Sequence, residues 1–181
     1  MLRSGILLVA ILAVQCQAAQ RKDGACEEIH LLRAAMSQLP EQLRFPCDAE
    51  HVTVIRDVRS FLNEHPDIAA DPELRRKAEH AMAFTVRASW PLYINLTSHR
   101  ALPDAYDRGL SWVACVFAAV LAHERVHAMG NASEAAGLAA ELALDKSFRA
   151  EGKLPAAAFD LAGLEKQWRE ALEAERRVGA R

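Results

Sequence analysis

No charge of one sign predominates in this chain of 181 residues: 22 Lys and Arg stand against 24 Asp and Glu, for a formal net charge of −2. With no basic stripe either, the electrostatic footprint of a nucleic-acid-binding domain is missing, and that class of partner is excluded. Cysteine is scarce at four residues, and the seven histidines are scattered rather than gathered into a tract. Internal repeats and low-complexity linkers are absent, so nothing divides the chain into an array or separate modules. Past the first twenty residues no apolar run is long enough to cross a bilayer, which excludes a membrane span in the mature chain.

What is present begins at the N-terminus. Met1-Leu2-Arg3 is a short positive region and Ile6 to Val14 an apolar core of signal-peptide length. Cys16-Gln17-Ala18 puts small residues where a signal peptidase inspects them, so residues 1–18 are expected to be removed and 19–181 to form a single domain. Cys16 invites comparison with a lipoprotein, but Gln15 occupies the position before it where lipid attachment takes a small residue. The expected location is therefore secreted or periplasmic. In such an oxidising compartment Cys26 and Cys47, which flank the first helical segment, are natural disulfide partners. The bridge would stabilise by about 3 kcal/mol through loop closure. Cys115, inside an apolar helix, reads as a buried free thiol.

Helical periodicity dominates the mature chain. Glu27 to Leu39 carries Ile29, Leu32, Met36 and Leu39 at helix spacing. His51 to Leu62 reads as a second helix, although β-branched Val52-Thr53-Val54-Ile55 also suits a short strand. Asp71-Pro72 starts a third, with Asp71 as cap, leading through Ala78, Ala81, Met82 and Val86. Pro91 to Leu96 reads as a strand. The longest helix is expected from about Asp104 to Met129, apolar on more than one face and therefore central, with Gly130 as its stop. Ser133 caps the next helix, to about Ala150, and a last helix follows Pro155 with Leu161, Leu164, Trp168 and Leu172 as its buried stripe. The fold class is mainly α: a helical domain with a long central helix and at most a small β element.

The chemistry is concentrated at the end of that central helix, in His123-Glu124-Arg125-Val126-His127. Residues four apart on a helix lie on one face, so the two imidazoles can converge on a single ion at roughly 2.0 to 2.1 Å. Glu124 projects beside that ion, where a carboxylate can take a proton from an activated water. Tyr93, His99 and Tyr106 are candidate oxyanion donors that spacing does not separate. The remaining histidines, His30, His51, His65 and His80, read as surface or structural groups.

The string from His123 to His127 resembles the H-E-x-x-H signature of the zincin metallopeptidases, over roughly residues 92–141. The resemblance implies a zincin-like domain with a strand before the active helix that aligns substrate, a role Leu92 to Leu96 would fill. It also implies a third ligand. The metzincin branch continues to a Gly and a final His or Asp; Gly130 is kept here, but Ser133 stands at the ligand position and no methionine follows Met129. The gluzincin branch takes a glutamate from the following helix, which makes Glu134 the favoured ligand and Glu141, two turns on, the reserve. Small residues between them, Ala135, Ala136, Gly137, Ala139 and Ala140, let the two helices approach closely. Arg125 departs from the apolar residue usual after the glutamate.

The expected function is thus a zinc-dependent metallopeptidase, with one zinc ion on His123, His127 and Glu134, Glu124 as general base, and a peptide or protein substrate. Two imidazoles and one carboxylate suit zinc among the divalent metals. The alternative is a non-catalytic helical envelope-binding protein with a structural metal site or none, acting through an envelope partner. Three ligands rather than four favour catalysis, because a structural site is closed while a catalytic one leaves a position to water.

Overall fold

The computed structural model describes residues 29–158 and 160–179. The expected signal peptide, Cys16, Cys26 and the start of the first predicted helix lie outside the described residues. Among the described residues, eight α-helices and a three-stranded sheet occur in the order α1 (His30–Gln38), β1 (Val52–Val54), α2 (Val58–Glu64), α3 (Pro66–Ala70), α4 (Pro72–His80), β2 (Ala83–Val86), β3 (Ser89–Ile94), α5 (Ala101–Asp107), α6 (Trp112–Ala128), α7 (Glu134–Ala150) and α8 (Leu161–Gly179). The chain is mainly α with a small β element, as expected.

Helix α6 is the axis of the domain. Val113 through Ala119 are buried without interruption, the pattern of a helix enclosed on all sides. Helix α1 packs on one flank, α7 on another, and the sheet lies across a third. The strand order is β1-β3-β2, with β1 parallel and β2 antiparallel to β3. Alternation along β3 sends Leu92 and Ile94 into the core around α6 and Tyr93 to the opposite face. There Tyr93 stacks on Phe84 at 5.1 Å and meets Phe61 edge-on at 5.3 Å, under the α2–α4 layer.

Four local expectations are corrected. Residues 51–62 are not one helix: β1 occupies 52–54 and α2 begins at Val58 behind its cap Asp57, whose carboxylate accepts from Ser60 N at 2.7 Å. Pairing of Val52 to Val54 with β3 outweighs helical spacing there, consistent with β-branched residues buried in a sheet. The third helix stops at His80, so Met82 and Val86 fall outside it and Val86 belongs to β2. The long central helix is two helices, because Gly109 adopts φ +93° and ends α5 before α6 restarts at Trp112. Strand β3 starts at Ser89 and includes Pro91, whose missing N–H is tolerated at the register shift opposite β2.

Other boundaries agree with the sequence. Asp71 caps α4 by accepting from Glu73 N and Leu74 N. Gly130, at φ +94°, closes α6, with Gly130 N bonded to His127 O and Asn131 N to Val126 O. Ser133 caps α7 through Ala136 N at 3.0 Å, and α7 ends at Ala150. Cys115 is a buried free thiol. Cys47 is not a free thiol, and its expected partner Cys26 lies outside the described residues. Among the described residues, no helix is long and apolar enough to cross a membrane.

Candidate metal centre

His123 and His127 sit one turn apart on the last two turns of α6, both buried, and their Nε2 atoms stand 3.1 Å apart. Glu134, the first residue of α7, reaches back over them. One of its carboxylate oxygens is 3.5 Å from His123 Nε2 and the other 3.4 Å from His127 Nε2. Ligand atoms of these three residues lie within 4.8 Å of one another. The sequence-favoured set is therefore brought together.

The outer nitrogens are spoken for. His123 Nδ1 lies 3.0 Å from Glu141 Oε2, and His127 Nδ1 is 2.7 Å from the carbonyl of Asn131. Both partners are acceptors, so each Nδ1 carries the proton and donates it. Each neutral ring then presents only a lone pair at Nε2. Two lone pairs and a carboxylate converge on one point with no donor among them, which calls for a cation. A tetrahedral zinc with bonds of 2.0 to 2.2 Å separates its ligand atoms by about 3.3 to 3.6 Å. The two nitrogens lie just below that range and each has one Glu134 oxygen within it, so the residues fit such an ion.

Without a metal, protons must supply the positive charge. Burial pushes His123 down, but hydrogen bonds to Glu134 and Glu141 and the charge of Glu124 outweigh it and raise it to about 10. His127 is raised chiefly by Glu134, against burial. The two histidines in turn hold the Glu134 carboxyl well below its ordinary range. Glu124 goes the other way: burial raises it, although His123, His127 and Lys77 pull it down. A carboxylate raised in this manner and standing beside a ligand set is suited to proton transfer.

The supports come from three helices. A methyl group at Gly137 would lie 2.7 Å from His123 Cδ2 and Nε2, so glycine lets α7 pass directly over the ring. The αL turn at Gly130 aims the Asn131 carbonyl at His127, and Asn131 Oδ1 accepts from Ser133 N at 2.9 Å. From α8, Glu175 accepts from Ser133 Oγ at 2.9 Å and from Ala135 N at 3.1 Å, fastening the turn that bears Glu134.

Glu124 and the ligands border a cleft of about 610 Å³ whose far wall is formed by α4 and β2. Strand β2 is a sheet edge, whereas β3 is paired on both sides. The expected substrate-aligning role of Leu92 to Leu96 therefore does not fit. The free edge beside the site belongs to Ala83–Val86. None of the oxyanion candidates borders the cleft. Tyr93 is packed beneath the sheet, Tyr106 faces α1, and His99 Nε2 is 2.8 Å from the His80 carbonyl. The cations bordering it, Arg76 and Lys77, went unnoticed in the sequence because nothing local links α4 to α6. Comparison with known protein families, with curated proteins and with solved structures finds no match to this chain.

Proposed function

We propose that this chain is an exported zinc-dependent metallopeptidase that acts on peptide or protein substrates in the cell envelope or outside the cell. The observation that carries the reading is the convergence of three lone-pair donors, His123 Nε2, His127 Nε2 and Glu134, beside a partly buried Glu124 that belongs to no ligand set. Zinc in such a site supplies Lewis acidity, polarising a carbonyl and lowering the pKa of water to about 7. His123, His127 and Glu134 would hold it, and Glu141 and the Asn131 carbonyl keep the two rings in the required tautomer.

Glu124 takes the proton released by the attacking water and delivers it to the departing amine. Its raised pKa suits both halves of that exchange. The β2 edge offers unpaired backbone groups against which an extended peptide would lie. Export follows from the N-terminal sequence alone.

Metal analysis of the purified mature protein, with activity on a quenched peptide library, tests the reading. About one zinc per chain is expected in the parent, lost in His123→Ala and weakened in Glu134→Gln. Glu124→Gln should keep the metal and lose hydrolysis. A parent that binds no metal after zinc reconstitution would sink the proposal and turn attention to partner capture for a non-catalytic binding protein.

A further inference from the structure

We infer that the α4 wall of the cleft is a carboxylate subsite, in which Arg76 and Lys77 take an anionic group of the bound peptide, so that the substrates are peptides bearing a carboxylate close to the scissile bond. The inference rests on the metallopeptidase reading above and specifies its substrate class. Both cations of the cleft lie on one wall, with Glu73 the one acid beside them on that helix, and the other acids face them. The acids Glu124, Glu134 and Glu141 lie on the α6 and α7 side, among the histidines. The opposite wall presents Arg76 and Lys77 from the last two turns of α4.

Among the described residues, neither cation has a strong internal partner. Lys77 Nζ is 3.7 Å from Glu73, which is 71% exposed, so water screens that contact. Glu79, the other acid on this helix, is engaged by Arg75 at 3.0 Å rather than by Arg76. Lys77 and Glu124 border the same cleft, which sets the ammonium on the wall that faces the reacting centre.

The wall is also rigid. A helix ends in carbonyls without intrahelical partners, which repel an anion and loosen the last turn. In α4 three successive carbonyls are satisfied by the loop after β3. Asn95 Nδ2 donates to Ala78 O at 2.7 Å, Ser98 Oγ to Glu79 O at 2.8 Å, and His99 Nε2 to His80 O at 2.8 Å. Asn95 is fully buried, so this knot is anchored in the core. The two cations are therefore held on a fixed support, and a bound carboxylate need not order it.

Calorimetric titration of the zinc-loaded protein with hydroxamate-capped dipeptides tests the inference. One probe ends in a free carboxylate, one in a carboxamide, and one is a carboxamide with a Glu side chain; acetohydroxamate reports on the metal alone. A carboxylate-bearing probe is expected to bind about tenfold more tightly than the plain carboxamide. The difference should vanish in Arg76→Gln/Lys77→Met, while acetohydroxamate binds parent and variant alike. Which carboxylate probe gains identifies a chain terminus or an acidic side chain as the source. Equal binding of acid and amide overturns the subsite and leaves the metallopeptidase reading intact. Failure of all four, acetohydroxamate included, overturns both.

Discussion

Gly137 and His123 are in contact in a way that only a residue without a side chain permits: a methyl group at Gly137 would lie 2.7 Å from both Cδ2 and Nε2 of the imidazole. Helix propensity alone favours alanine at such a position by about 1 kcal/mol. Here the clash falls on a buried ring held from behind by Glu141, so it has no direction in which to yield. Gly137→Ala is expected to keep its helical content and lose zinc affinity by tenfold or more, measured by competition with a chromophoric chelator. Unchanged affinity would mean that α7 does not press on the ligand.

Glu134 and Glu141 have different tasks, and amide substitutions separate them. Glu134 faces both Nε2 atoms, whereas Glu141 faces only His123 Nδ1. Removing an outer-shell carboxylate typically lowers metal affinity by about 10- to 100-fold. Glu141→Gln should fall in that range with stoichiometry retained at saturating zinc, and Glu134→Gln should lose more. The reverse order would make Glu141 the ligand.

Much of this site was legible because its signals are local. The His123 to His127 spacing, the Gly130 stop and the Ser133 cap each follow from one turn of helix, and together they bring Glu134 onto the ligand face. Assignments that failed depended on distant partners. Val52 to Val54 becomes a strand because β3 lies beside it, and β3 is a central strand because β1, some forty residues earlier, pairs with it in parallel. Helix α4 meets the cleft through side-chain bonds from Asn95, Ser98 and His99, and no periodicity announces those. The ring of His99, a candidate oxyanion donor by sequence, is committed to a helix cap instead.

The C-terminal helix should influence the metal through Glu175. Its carboxylate receives Ser133 Oγ and Ala135 N, the two groups flanking Glu134. Loss of an exposed cap of this kind costs about 1 kcal/mol. Glu175→Ala is expected to lower Tm by a few degrees and to weaken zinc binding several-fold. Glu170→Ala on the same helix, whose contact with Lys166 is long and exposed at 3.8 Å, should do neither. Equal behaviour of the two variants would show that α8 contributes packing alone.

Protons and zinc compete for the same histidines, which fixes the sign of two pH effects. In the metal-free protein His123 titrates near 10, above its ordinary value of 6.5, and His127 is raised as well. Groups raised on folding contribute stability that is full below about pH 6.5 and is lost as the pH rises towards 10. The metal-free Tm should therefore fall across that window while the zinc-loaded Tm holds. Zinc binding at pH 7 should release one to two protons, seen as a dependence of the calorimetric heat on buffer ionisation enthalpy. No release would mean that the histidines are already neutral.

A second titration lies lower and belongs to Asp145. The residue is 1% exposed, and among the described residues neither carboxylate oxygen has a hydrogen-bond partner. Burial first and the charge of Glu141 second push it up to about 7, against the pull of Arg149. The folded protein thus holds this proton more tightly than the unfolded chain, whose aspartates release it near 3.8. Stability from the group is full below about pH 4 and declines as the pH rises to 7, the opposite of a salt-bridged carboxylate. Asp145→Asn abolishes the ionisation in a side chain of the same shape. It should be close to neutral at pH 4 and stabilising by about 1 to 3 kcal/mol at pH 8, read from urea unfolding at both pH values. This window ends where the histidine window begins, so the pH at which the variant and parent curves part tells the two groups apart. A gain that is the same at pH 4 and pH 8 would assign the effect to packing and leave Asp145 ionised in the folded protein.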